Sequence, residues 1–226
     1  MNTHAHTTGT TPTGGAASAG TNHRPGSSTD TLLILAALAG PLFYLSSLVQ
    51  GLTRDGFDLR EHPLSQLATG DLGWIQMVSF VAAGLGTLAL AAAYRRVHCT
   101  GAAHRLVTLG IGLFGVGFVV AGLFPMDPQN GFPVGAPDGV VSLSWHAIVH
   151  VAAAVVAFLG LAMACVVRLV QCARRRQTAP ALGHGLVAVA LLLPVSPTGA
   201  SIQVALTGLV AFGWVTVVSL RMRADL

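Results

Sequence analysis

Runs of apolar residues alternate with short polar loops along this chain, and a helix needs roughly 20 such residues to cross a bilayer. Six runs predict six helices, at residues 31–52, 73–94, 106–124, 145–169, 181–195 and 201–220. The fifth is the shortest and runs into Pro194, with Pro197 close behind. It reads either as a full crossing of a thinned bilayer or as half of a re-entrant hairpin. Ahead of the first run, residues 1–30 are rich in Thr, Gly, Ser, Ala and His and nearly devoid of large apolar side chains. Such a segment cannot offset its ordering entropy by burial and predicts a disordered tail, with His4, His6 and His23 solvated. It lacks the pattern of a signal peptide, because the apolar run begins late and no small-residue cleavage site follows.

Composition agrees with that pattern. Of 226 residues, 53% are hydrophobic and 9% charged, where a soluble domain carries about 25% charged residues. The expected fold class is therefore an all-α integral membrane bundle. All the basic side chains are arginines, scattered through short loops, which excludes a nucleic-acid surface. Their placement orients the bundle. Arg24, Arg95, Arg96, Arg105, Arg168, Arg174, Arg175, Arg176, Arg221 and Arg223 fall on one side of a chain that crosses six times. The other side receives Arg54 and Arg60 with Asp55, Asp58, Glu61, Asp71, Asp127 and Asp138. Both termini are thus expected in the cytoplasm, including a short end at residues 222–226, with the fifth run a genuine crossing. Cys99, Cys165 and Cys172 fall at cytoplasmic ends and predict reduced thiols and no disulfide framework. Cys172, near Arg174, reads as an unmodified boundary residue more than as a lipidation site.

With that orientation the polar side chains of the helices collect in the outer half: Ser46, Ser47 and Gln50; Gln76 and Ser79; His146 and His150; Gln203 and Thr207. They predict a polar pocket open to the outer face. No span carries a carboxylate or arginine at its centre, which argues against a proton pump or a transporter. The glycine-rich third helix predicts close packing inside the molecule through Gly117 and Ala121. Trp74 and Trp145 read as outer belt residues and Tyr94 as an inner one.

His146 and His150 stand one helical turn apart, so both imidazoles lie on one face. A pair so spaced is half of a zinc site, for which Asp127 is the best third ligand and His62 the fourth. Bound zinc would lower the pKa of a water molecule that attacks a lipid ester or amide, with Ser65 and Asp71 in support. Asp127 and Ser65 are the catalytic candidates, although the loop around Ser65 lacks the turn that exposes a nucleophilic serine. Arg54, Arg60 and Gln76 are the ligand-binding candidates, the arginines for a phosphate or carboxylate headgroup. Local pairing of those arginines with Asp55, Asp58 or Glu61 is the competing expectation. For the histidines it is a helix-packing role: His146 against Asp127 or Asp138, His150 against Gln50, Gln76 or Ser79. In the first outer loop Pro63 suits the first position of a short helix lying on the membrane surface through Leu64, Leu67 and Ala68. Asp71 or Thr69 would then cap the second helix.

Three motifs carry a resemblance: Glu61-His-Pro-Leu-Ser-Gln-Leu-Ala-Thr-Gly70, Leu123-Phe-Pro-Met-Asp-Pro128 and Trp145-His-Ala-Ile-Val-His150. In order and spacing they resemble the "domain of unknown function 998" family of bacterial polytopic membrane proteins, over residues 31–221. The resemblance implies the helical fold and a multi-pass location in the bacterial inner membrane, and it transfers no catalytic residue. The histidine pair with a remote His, Asp and Ser is also similar to the alkaline ceramidase and adiponectin receptor group. That group differs in having seven helices and a Ser-x-x-x-His on a helix, where this chain has His62-x-x-Ser65 in a loop. The expected function is an outer-half pocket that is structural or binds a lipid or small ligand, with a zinc-dependent intramembrane hydrolase as the alternative. The partners implied are membrane lipids, and no oligomeric state is implied.

Overall fold

The computed structural model describes residues 1–3, 25–98, 100–196 and 198–226. Among them the chain is all-helical, with no strand: α1 (Pro25–Thr53), α2 (Gly73–Val97), α3 (Ala102–Leu123), α4 (Trp145–Arg174), α5 (Thr178–Leu192) and α6 (Ala200–Ala224). A 3-10 helix, Leu64–Ala68, interrupts the first loop. Every helix except α5 is long and apolar enough to cross a membrane, and α5 is a shorter apolar helix of 15 residues. α1 starts at Pro25, inside the expected disordered tail, because proline is tolerated in the first helical turn, where no N–H partner is needed. The rest of that expectation, residues 4–24 with His4, His6, His23 and Arg24, lies outside the described residues, as do Cys99 and Pro197. α5 ends at Leu192 instead of residue 195, since Pro194 disfavours a helical conformation at Leu193, which is extended (φ −60°, ψ 130°).

The helices pack in chain order, α1 on α2, α2 on α3, α3 on α4 and α4 on α5, and α6 returns to α1. α5 and α6 touch only slightly, so the ring is nearly open between them. Small residues allow the tightest seam: a Cβ on Gly117 would stand 2.6 Å from the Ala153 carbonyl and from the Ala157 Cβ of α4. Inside, Phe43, Phe80, Phe118 and Phe212 make edge-on and stacked ring contacts. Pro41 sits within α1 and cannot donate to the carbonyl of Ala37. The Thr216 hydroxyl of α6 donates to that oxygen instead, at 3.0 Å, so the freed backbone group is satisfied within the apolar interior.

The two ends of the bundle differ. At one end Arg96 donates to Ser28 (3.2 Å) and Arg223 pairs with Asp30 (2.5 Å), which places the start of α1 and the ends of α2 and α6 together. Tyr94 is here, but it is 2% exposed and stacks on His98 (4.3 Å), so it is a core residue and not the expected belt residue. At the opposite end Ser201, opening α6, donates to the Glu61 carbonyl of the first loop. Trp74 and Trp145 are exposed at this end.

Candidate functional site

The polar residues near the end of α1 and the start of α2 turn toward one another. Gln50 donates to Gln76 Oε1 (2.7 Å), Gln76 donates to Ser47 (2.9 Å), and the Ser46 and Ser79 hydroxyls share a hydrogen bond (2.8 Å). Ser47, Gln50 and Gln76 are buried. Gln76, expected to bind a ligand, is therefore spent on holding two helices together, and none of these five side chains lines the cavity described below.

Above this seam the first loop and the α3–α4 connection form a joint cap. Arg54 donates through Nη1 to the Leu67 carbonyl and through Nη2 to the Thr69 carbonyl, each at 2.6 Å, and its guanidinium lies 4.7 Å from the centre of the Phe132 ring. It thus caps the 3-10 helix, with no acidic partner among the described residues, and burial lowers its pKa. Arg60 is exposed, and only its backbone N–H meets an acid, Asp58 at 2.8 Å. The Asp58 N–H donates to His62 Nδ1 (2.9 Å), so Nδ1 is an acceptor and Nε2 donates to the Asn130 carbonyl (2.9 Å). His62 stacks with Phe57 and Phe132 and is 3% exposed. With both ring nitrogens occupied it has no lone pair for a metal. Gln66, fully buried, donates to the Gln129 carbonyl (3.0 Å).

The short helix corrects three expectations. Pro63 is its N-cap, not its first helical residue. Leu67 and Ala68 are buried, so the helix is tucked into the bundle instead of lying on the membrane surface. α2 begins after Leu72 with no side-chain cap; Asp71 is exposed, and the Thr69 hydroxyl is held by the Gln66 carbonyl (2.6 Å).

The histidine pair is divided between two tasks. Ser144 is the N-cap of α4, and its hydroxyl meets both Asp127 Oδ1 (2.6 Å) and His146 Nδ1 (2.7 Å), while its N–H donates to Asp127 Oδ2 (2.7 Å). Desolvation pushes the Asp127 carboxyl up, but the bonds from Ser144 and the charge of His146 outweigh it and hold the group below the usual carboxylate range. An ionised carboxylate only accepts, so Ser144 donates to Asp127 and accepts from His146. That polarity is the reverse of an activated serine, whose hydroxyl must donate to the imidazole. One turn on, His150 Nδ1 lies 2.9 Å from the carbonyls of Ala121 and Phe124. Ala121 would bond the N–H four residues on, which is Pro125 and has none, so α4 supplies the missing donor to the end of α3. Among the described residues no group of three or more His, Cys, Asp or Glu is placed to hold a metal ion.

His150 also lines a cavity of about 410 Å³ beneath the cap. Its walls are apolar and aromatic, with Phe43, Phe80, Phe118 and Phe158 prominent, and it extends to Leu191 and Leu193 at the end of α5 and to Val204 and Gly208 of α6. Ser65, the serine candidate, faces the same space from the 3-10 helix. Asp127, His146, His62, Arg54 and Arg60 do not. Ser144 was readable in advance, as a serine immediately before the apolar run of α4 is a standard N-cap signal. The backbone acceptors that hold Arg54 have no signature of their own. Asn130 and Gly131 both adopt positive φ (55° and 75°) and turn the chain so that Phe132 enters the cap.

No curated protein and no solved structure matches the chain significantly. Residues 37–221 match the family described as Protein of unknown function (DUF998). That stretch runs from within α1 into the last turns of α6 and holds the whole cap and cavity, and the chain belongs to this family of multi-pass helical membrane proteins.

Proposed function

We propose that the protein crosses the cell membrane six times with both termini in the cytoplasm, and that its outer half binds the hydrocarbon part of a membrane lipid. Orientation rests on the arginines of the helix ends, which gather where α1 begins and α2, α4 and α6 finish. The observation that carries the binding reading is the cavity of about 410 Å³. It is within the size range of ligand clefts, roughly 300–1,000 Å³. Its position follows from α5, whose 15 residues rise only about 22 Å against a hydrocarbon core of about 30 Å. Where α5 stops, the wall between α4 and α6 is left open toward the surrounding acyl chains.

The zinc-hydrolase alternative draws no support from the geometry, because Asp127 and His146 are engaged with Ser144 and His62 with backbone on both nitrogens. Native mass spectrometry of the protein in mild detergent tests the proposal. Wild type should carry a co-purifying lipid, and Ala154→Phe, which fills the cavity from α4, should lose it while remaining folded. Equal lipid occupancy in the two proteins would refute it. For the orientation, a C-terminal reporter active only outside the cytoplasm should stay silent.

A further inference from the structure

We infer that the cavity selects an uncharged lipid with a hydrogen-bond donor at its head, a hydroxyl-bearing lipid of the long-chain alcohol or diglyceride class. This rests on the hydrocarbon-binding reading and adds the chemistry of the head. The argument turns on the tautomer of His150. Its Nδ1 lies 2.9 Å from two carbonyl oxygens, and neither can donate. Nδ1 therefore bears the hydrogen, and in neutral imidazole the lone pair is left on Nε2. Nε2 has no hydrogen-bond partner among the described residues, yet it is not one of the sealed, unpartnered buried atoms, which are Gln50 Oε1 and Gln66 Oε1. The residue is 5% exposed, so what access Nε2 keeps opens onto the cavity that the ring lines. Ala121 and Phe124 fix the ring, and the acceptor is held in place before any ligand arrives.

The rest of the wall excludes charge. No Arg, Asp or Glu lines the cavity, so a phosphate, carboxylate or ammonium head would have no counter-ion in an apolar space. Tyr44, also in the wall, donates to the Ala205 carbonyl (2.7 Å) and cannot donate to a ligand as well. Ser65 and Thr207 bear the other hydroxyls, each able to accept from a head group or donate to it.

Three probes that share one chain separate the possibilities: hexadecanol, its methyl ether and hexadecyl phosphate, each titrated into full-length protein in detergent. Hexadecanol should bind about tenfold more tightly than the ether, the worth of one hydrogen bond to a desolvated acceptor, and the phosphate should bind most weakly. Equal affinity for alcohol and ether would overturn the head-group inference and leave hydrocarbon binding standing, as would tightest binding of the phosphate. Binding of none of the three would overturn both. His150→Phe keeps the ring volume and removes the acceptor, so the ratio of alcohol to ether affinity should fall severalfold, and an unchanged ratio would overturn the role of His150. If that variant fails to fold for want of a donor to α3, the comparison in wild type still decides.

Discussion

Replacing Arg54 by Met tests whether the cap formed by the first loop and the α3–α4 connection is a structural unit or a headgroup site. The side chain makes two charge-assisted bonds to the Leu67 and Thr69 carbonyls and rests on Phe132. Charge-assisted bonds contribute roughly 1.5–3 kcal/mol each, and a half-buried guanidinium belongs at the low end, so the two together contribute about 3 kcal/mol. The ring contact adds about 0.5–1 kcal/mol. Methionine keeps an apolar stem of similar reach and leaves both carbonyls without their donor, so the cap should lose about 3 kcal/mol. At roughly 2–4 °C per kcal/mol for a chain of this size, the midpoint falls by about 6–12 °C. Lysine, which cannot bridge two carbonyls with a planar fork, should fall about half as far. Cys165 and Cys172 are both buried, so a thiol-reactive dye in a Cys99→Ser background reports unfolding directly. An Arg54→Met protein that melts with wild type but loses bound anionic lipid would refute the structural role and restore the headgroup reading.

Other substitutions probe the seams. Gly110→Ala should destabilise by about 1–3 kcal/mol, because its Cβ would overlap the Gly160 carbonyl of α4. Gly112→Ala, with nothing within 4 Å, should be neutral or stabilise by up to about 1 kcal/mol in the same melting assay. Gln76→Leu strips Gln50 and Ser47 of a shared partner and should cost about 1–3 kcal/mol. A Gln50→Leu, Gln76→Leu pair should recover part of that loss, because fewer buried groups are left unmet. Asp127 has a depressed pKa when folded, so its stabilisation is complete above the ordinary carboxylate pKa of about 4 and is lost as pH falls through the lower native value. Asp127→Asn should flatten that acid limb of the melting profile, and an unchanged limb would contradict the assignment.

Hydrophobic runs made the helices legible, and most boundaries shifted only where the ends lengthen toward arginines, as in α4. One polar cluster was legible as well, since Ser46, Ser47, Gln50, Gln76 and Ser79 do meet near one end of α1 and α2. Rotation about each helix axis was not. Gln50, Gln76 and Ser47 have the depth expected of pocket residues but face the α1–α2 seam, and apolar rings took the cavity. The i,i+4 spacing of His146 and His150 suggests convergence on one ligand, but His146 lies in the first turn, where Ser144 holds its ring, while His150 meets the last carbonyls of α3. That last contact was half visible: Pro125 announces a carbonyl without a partner, and only the α3–α4 packing says which side chain answers it.

The size of the cavity constrains what can occupy it. Left empty, a space of about 410 Å³ deprives its apolar lining of the contacts that a close-packed interior supplies. Water is no remedy, because apolar walls offer it few of the partners it needs. In the proposed reading, acyl chains enter through the gap that α5 leaves and fill the space. Two consequences of Ala154→Phe then separate. In protein stripped of lipid the added ring replaces missing contacts, so the variant should melt above wild type. In lipid-replete bilayers the ring displaces a chain that already packs there, and the advantage should disappear or reverse. A variant less stable than wild type in both conditions would mean that the side chain is simply overpacked and that the cavity is not a space held open for lipid.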